Sequence, residues 1–424
     1  MFVATVFRIQ TRFCQTLNLS RTLCLHKVNH KSMSDIKSVA CTFIEENKKR
    51  LNDLSQDIWK TPELGFQEFH AHGVLTKFLE ENGFDVTRKY KLDTAFRAVY
   101  GDGKPHIAVI CEYDALPNIG HACGHNLIAE VGVATGIAIK EAMSTKNLKC
   151  GKLSVIGTPA EEGKCGKSYM IAAGVFDDVD VAMMAHPSQF TLSKPLMVAM
   201  TPVHITFTGK ASHASSFPWD GVNALDAAVT CYNNISCMRQ QMKPMWRAMG
   251  IIKKGGDVPN IIPNEAELEY YLSTPTDEEL DILKEKLVGC IEGAATATGC
   301  KATYKFADHF YSALMSNNRM AKLFEYNASS IGVHIDNDPD VVLKYGGATD
   351  MGNVSRIVPS IHPKYYIGTK ICNHNEGFTT ASGDQAAQPY TLAISKALAM
   401  TALDIYTKPD VLKEIKEEFN DLKQ

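Results

Sequence analysis

The chain has almost no excess charge of either sign. Its 424 residues carry 44 Lys and Arg against 47 Asp and Glu, a formal net charge of −3. Nucleic acid and an acidic membrane surface are therefore excluded as main partners, since both call for a basic face. No apolar run reaches the ~18 residues that a helix needs to span a bilayer. The nearest candidate, Leu127 to Ile139, is interrupted by Glu130. The 12 cysteines have no short repeating spacing, which at this length excludes a disulfide scaffold and indicates reduced thiols in an intracellular compartment. Internal repeats and low-complexity segments are also missing. The first 34 residues lack acidic side chains but contain Arg8, Arg12, Arg21, Lys27 and Lys31. Two readings of this leader stay open, a mitochondrial transit peptide and a disordered extension ahead of Met33. The expected location is cytoplasmic, with the mitochondrial matrix as the alternative.

What is present is an α/β pattern long enough for two domains. Val39, Ala40, Phe43, Leu51, Leu54 and Ile58 recur at helical spacing, and the helix ends ahead of Pro62. A second helical pattern through Val74, Leu75, Phe78 and Leu79 ends at Asn82-Gly83. Ile107 to Cys111, Lys152 to Gly157 and Val179 to Ala185 read as strands buried on both faces, with a small-residue helix from Leu127 to Met143 between the first two. From Met200 to Thr208 the pattern alternates instead. Helices over Asn223–Gln241 and Asp277–Thr298, with strands at Glu265–Leu272 and Thr303–Phe306, then complete an α+β unit. After Tyr311 the α/β character returns, with an apolar stretch Ile361–Gly368, a closing helix over Ala386–Tyr406 and a charged tail read as a solvated helix end. The predicted fold is an α/β catalytic domain, 35–196 and 310–424, with a mixed central sheet flanked by helices. A smaller α+β lid or dimerisation domain, 197–309, is inserted in it.

Chemistry concentrates where the buried strands end. His121, Cys123 and His125 follow the first strand, Glu161 and Glu162 the second, His186 the third, and His374 lies in a late Asn-His-Asn-Glu segment. Ligand sites in open α/β sheets gather outside the carboxyl ends of the strands. Thiolate, imidazole and carboxylate together suit a divalent ion such as zinc. The donors outnumber one tetrahedral site and indicate a pair of ions, which would activate a water between them. One of the adjacent glutamates is then left for proton transfer. The chemistry this supports is hydrolysis of an amide.

The segments PELGFQE, EYDALP, HACGHN, GTPAEEG, AHP, GKASHA and NHNEGF resemble, in this order, the co-catalytic metallopeptidases and amidohydrolases, a family that includes aminoacylases and glutamate-releasing carboxypeptidases. HACGHNLIAE and GGATDMGNVS are most similar to its dipeptidase branch, which cleaves β-alanyl-lysine and related dipeptides. The resemblance implies two divalent metal ions, zinc favoured with manganese or cobalt as alternatives, on Cys123, His125, Glu162, His186 and His374. It implies Glu161 as general base, Asp114 as an orienting carboxylate, His213 as a lid histidine on the oxyanion, and Asn260 as a lid contact to substrate. A homodimer through the lid is implied as well. The expected substrate is a small dipeptide with Lys, Arg or ornithine on its C-terminal side. An N-acyl-amino-acid or aminobenzoyl-glutamate amidohydrolase is the alternative, and an inactive metal-binding regulator or scaffold is the alternative of another class. Three positions depart from the pattern. Glu112 stands where many relatives have histidine, which leaves ligation to the Cys123/His125 loop. Asn126 stands in place of aspartate, and Ser273 in place of an arginine suited to gripping a substrate carboxylate.

Overall fold

The computed structural model describes residues 35–148, 151–336, 338, 341–342 and 346–423. The leader lies outside these residues. In chain order the elements are α1 (Asp35–Lys60), α2 (Phe69–Glu81), β1 (Asp85–Arg88), β2 (Phe96–Gly101), β3 (His106–Cys111), α3 (His125–Thr145), β4 (Lys152–Gly157), α4 (Gly166–Ala172), β5 (Val181–Met183) and β6 (His186–Ser188). Next come β7 (Ala199–Thr208), α5 (Ala224–Met238), β8 (Arg247–Lys254), β9 (Glu265–Thr274), α6 (Asp277–Thr298) and β10 (Lys301–Phe306). The chain closes with α7 (Asn318–Ser330), α8 (Met351–Ser355), β11 (Ser360–Ile361), β12 (Lys364–Tyr366), α9 (Glu376–Gly383), α10 (Gln388–Thr407) and α11 (Pro409–Leu422). Among the described residues, no helix is long and apolar enough to cross a membrane.

The larger sheet has the order β1-β2-β4-β3-β5-β11. Its β1/β2 and β2/β4 pairs are antiparallel and the rest parallel, so the sheet is mixed. Every residue of β3 is buried, as a central strand covered on both faces requires. Helix α3 is buried along most of its length against α1, α10 and the sheet. Its small residues make that approach feasible. A Cβ on Gly132 would lie 2.3 Å from Cys111 Sγ, and one on Gly136 would lie 2.3 Å from Val155 Cγ2. The second sheet is antiparallel, in the order β10-β7-β9-β8, and packs on α5 and α6 around a separate apolar core containing Val203, Ile205, Phe207, Leu268 and Leu287.

Several elements differ from the sequence reading. The Val179–Ala185 strand contracts to Val181–Met183, and His186 instead opens β6, which pairs in parallel with β12. Strands β1, β2 and β8 escape the sequence reading because they are short or largely exposed, whereas α7 buries Met320, Leu323, Phe324 and Ala328 at helical spacing and its period was open to reading. The charged tail is not merely solvated. Helix α11 buries Val411, Ile415 and Phe419, and the Glu418 carboxylate accepts the Asn318 and Arg319 backbone N–H groups that open α7.

Candidate metal centre

Four chain segments meet beyond the carboxyl ends of β3 and β4. Cys111 ends β3, and Glu112 and Asp114 come directly after it. The chain then turns through Gly124 in the left-handed region, φ 78°, and enters α3 at His125. A side chain on Gly124 would strike Pro187 Cγ at 2.6 Å, so this turn is tied to the segment carrying His186. Beyond β4, Ala160 takes φ 61°, and Glu161 and Glu162 follow it, the first buried and the second partly exposed. His374, at φ 64°, is anchored by its own N–H donating to the Ala122 carbonyl at 2.9 Å.

The side chains form two overlapping donor sets. Cys123, His125 and His186 hold ligand atoms within 4.8 Å of one another, and so do Cys123, Glu162 and His374. Cys123 Sγ is 3.3 Å from His186 Nε2, and Glu162 Oε1 is 3.2 Å from His374 Nε2. The shared thiolate places the two sets side by side. Glu161 belongs to neither, but it lies in a third set with His125 and Glu162.

The residues around the donors fix their orientation. Asp114 Oδ1 is 3.0 Å from His125 Nδ1, and its Oδ2 accepts the Glu162 N–H at 2.9 Å. His186 Nδ1 lies 2.8 Å from the Pro187 carbonyl oxygen. In both rings Nδ1 is engaged and Nε2 is left for an ion, the arrangement that outer carboxylates and carbonyls impose on metal-binding histidines. Among the described residues, His125 Nε2 and Glu162 Oε1 are buried and lack hydrogen-bond partners, a costly state for polar atoms without a further ligand. The electrostatics agree. Burial alone would depress His125, but the Cys123 and Asp114 charges outweigh it and hold its pKa well above the usual value. Contacts with Cys123 and Glu162 raise His374 to about 10. Both imidazoles take up protons because the donors carry surplus negative charge, the surplus that divalent ions neutralise. The donors thus fit a pair of divalent ions.

Glu161 is buried, and burial together with Glu112, Glu162 and Asp350 pushes its pKa well above the carboxylate range. The Tyr311 hydroxyl donates to its backbone carbonyl at 2.8 Å. A carboxylate kept beside the donors with a raised proton affinity is suited to moving a proton.

The lid residues lie elsewhere. His213 and Asn260 occupy adjoining loops, with the Ala214 N–H donating to the Asn260 carbonyl at 3.0 Å. His213 is solvent-exposed, and its Nδ1 accepts the Ser216 N–H at 3.2 Å. Neither residue joins the donor sets among the described residues. Asn126 is structural, its Nδ2 donating to Ser55 Oγ and the Ser382 carbonyl. Ser273 is buried in β9 opposite Arg247 of β8. Sequence reasoning assigned no role to Lys167, Asp350 or His362, all fully buried beside the site. Asp350 falls within a quoted motif, whereas a lysine opening a short helix gives no signal.

The model of peptidase family M20/M25/M40 matches residues 108–396. The chain is 46% identical over 396 residues to the Xaa-Arg dipeptidase of Mus musculus, covering 91% of this chain and 92% of that protein. It is 45% identical over 400 residues to the Xaa-Arg dipeptidase of Homo sapiens, covering 91% of each. A crystal structure of a dinuclear metal-binding peptidase of the M20 family from Bacillus subtilis superposes with a TM-score of 0.63 at 22% identity, covering 85% of this chain and 99% of that one.

Proposed function

We infer that this chain, which belongs to peptidase family M20/M25/M40, is a two-metal dipeptidase acting on small dipeptides with a basic C-terminal residue. The observation that carries this reading is the pair of donor sets sharing Cys123, with Glu161 buried alongside and in neither of the two. The mouse and human relatives, named Xaa-Arg dipeptidases, support the basic residue. A thiolate and three imidazoles favour zinc over harder ions. One set is Cys123, His125 and His186, and the other is Cys123, Glu162 and His374.

When bound there, divalent ions acidify a water and polarise the scissile carbonyl. The chain's own groups do the rest. Asp114 holds His125 in the tautomer that leaves Nε2 for binding. Glu161 takes the proton released by the attacking water and delivers it to the leaving amine. His213, carried by the lid of residues 197–309, covers the site on closure and donates to the developing oxyanion, while Asn260 contacts the substrate. The strand β8 supports a dimer through the lid. It lies at an open edge of its sheet and exposes Met249, Ile251 and Ile252.

The test is hydrolysis by chelator-stripped protein refilled with zinc, manganese or cobalt. The substrates are β-alanyl-lysine, β-alanyl-ornithine, β-alanyl-arginine, an N-acetyl amino acid and aminobenzoyl-glutamate. The basic dipeptides should be cleaved with the highest kcat/KM and only in the refilled enzyme. Preference for the acyl or glutamate substrates would replace this reading with that of an amidohydrolase, and full activity without metal would end it.

A further inference from the structure

Beneath the donor sets lies a fully buried group of three charges. The Lys167 ammonium donates to Glu112 Oε1 at 2.5 Å and to Asp350 Oδ1 at 2.6 Å, and all three side chains are 0% exposed. The Lys167 backbone N–H also donates to Asp350 Oδ2 at 2.8 Å. Both Asp350 oxygens are therefore engaged. Glu112 is different, because its Oε2 has no hydrogen-bond partner. That oxygen lies 3.7 Å from His125 Nε2, which has none either. Two buried polar atoms face one another across a space too wide for a good hydrogen bond. It is close to the separation of two ligands of one ion, since bond lengths of ~2.0–2.2 Å at a tetrahedral angle place donor atoms ~3.3–3.6 Å apart. An ion pair without other duties would be expected to satisfy all its lone pairs, because an unpaired buried carboxylate oxygen is costly.

We propose that Glu112 is an additional oxygen donor to the ion held by His125, and that Lys167, braced by Asp350, is the clamp that aims it. The proposal rests on the two-ion reading above. The buried ammonium fixes the direction of the Glu112 carboxylate. A hard oxygen added to a thiolate–imidazole set also widens the site's tolerance from zinc towards manganese.

The experiment compares Glu112→Gln and Asp350→Asn with the wild-type full chain. Metal content is measured after dialysis against graded chelator, and absorption spectra are recorded for the cobalt-refilled proteins. Glu112→Gln keeps its size and still accepts from Lys167. It should lose one ion at chelator activities ~10–100-fold lower than wild type and change its d–d bands. The thiolate-to-cobalt band from Cys123 should be retained. Asp350→Asn weakens the brace without removing the donor, so it should melt at a lower temperature, keep both ions and shift the d–d bands less than Glu112→Gln does. If Glu112→Gln does not fold, Glu112→Asp serves instead, keeping the charge for Lys167 and withdrawing the donor by one methylene. Wild-type retention and spectra in the Glu112 variant would overturn the proposal, as would equal metal loss in the Asp350 variant. A wild-type protein that never binds two ions would instead overturn the reading on which the proposal rests.

Discussion

Asp114→Asn removes one oxygen from a carboxylate that serves two donor segments at once. The native group meets His125 Nδ1 at 3.0 Å and the Glu162 N–H at 2.9 Å, and it is buried. Asparagine is the same size but offers one acceptor, so one of the two donors must face an NH₂ group. Two effects on metal affinity then oppose each other. The Asp114 charge raises the proton affinity of His125, so its loss lowers the competition that an incoming ion meets. The same charge also attracts the ion, and a divalent ion feels it about twice as strongly as a proton does. Attraction therefore outweighs competition, and affinity should fall by the ~10–100-fold typical of outer-shell changes, or about 1.4–2.7 kcal/mol. Zinc competition against a chromophoric chelator measures this directly. The gap between wild type and variant should widen as pH rises, because the higher proton affinity of the wild-type imidazole costs it less at higher pH. Affinity within twofold of wild type at every pH, or a gap that widens as pH falls, would refute the reasoning.

The placing of Cys123, His125, Glu161 and Glu162 beyond β3 and β4 was legible in the amino-acid sequence through one rule, whereas His186 opens β6 and His374 follows no strand end. Strand β4 matches Lys152 to Gly157, and the chain beyond a buried parallel strand must leave the sheet on the side where loops converge. That rule needs only the ends of β3 and β4 and the positions of the donor types. It could not show that Cys123 belongs to both donor sets, since the sharing depends on Gly124 folding the loop against Pro187. Nor could it reach Lys167 and Asp350, 183 residues apart and joined only in space. At Glu112 the sequence left ligation to the Cys123/His125 loop, and the approach of its Oε2 to His125 Nε2 at 3.7 Å is set by tertiary packing that residue type alone does not report.

The lid shows the opposite limit. Its alternating strand β7 was legible because one face packs on α5 and α6 while the other is partly exposed, which is what alternation reports. Where the lid loops lie relative to the donor sets is not a property of any local pattern. His213 and Asn260 sit in adjoining loops and join none of the donor sets among the described residues. A carboxylate cluster at a strand end is local in this sense, whereas a lid contact is set by rigid-body placement.

The two neighbouring glutamates should fail in different ways. Glu162→Gln should release at least one ion and regain activity in excess zinc, whereas Glu161→Gln should keep both ions and lose ~10²–10⁴-fold in kcat. Metal analysis beside turnover separates them, and Glu161→Gln losing metal while Glu162→Gln keeps it would exchange their roles. The last expectation concerns Glu130, buried on α3, where its Oε2 accepts from Gln388 Nε2 at 2.8 Å. Burial pushes its pKa from 4.5 to about 7. The unfolded chain then releases this proton at lower pH than the folded protein does. The stabilisation is complete below pH 4.5 and is lost as pH rises through about 7. The loss approaches about 3 kcal/mol at 1.36 kcal/mol per pKa unit. Glutamine cannot ionise, so Glu130→Gln should remove this part of the slope while still facing Gln388. Urea unfolding of metal-free wild type and variant at several pH values between 5 and 8 isolates it, because other titrating groups cancel in the difference. The variant should gain on wild type from pH 5 until about pH 7 and then level off, and a flat difference throughout would show that Glu130 is already ionised in the folded protein.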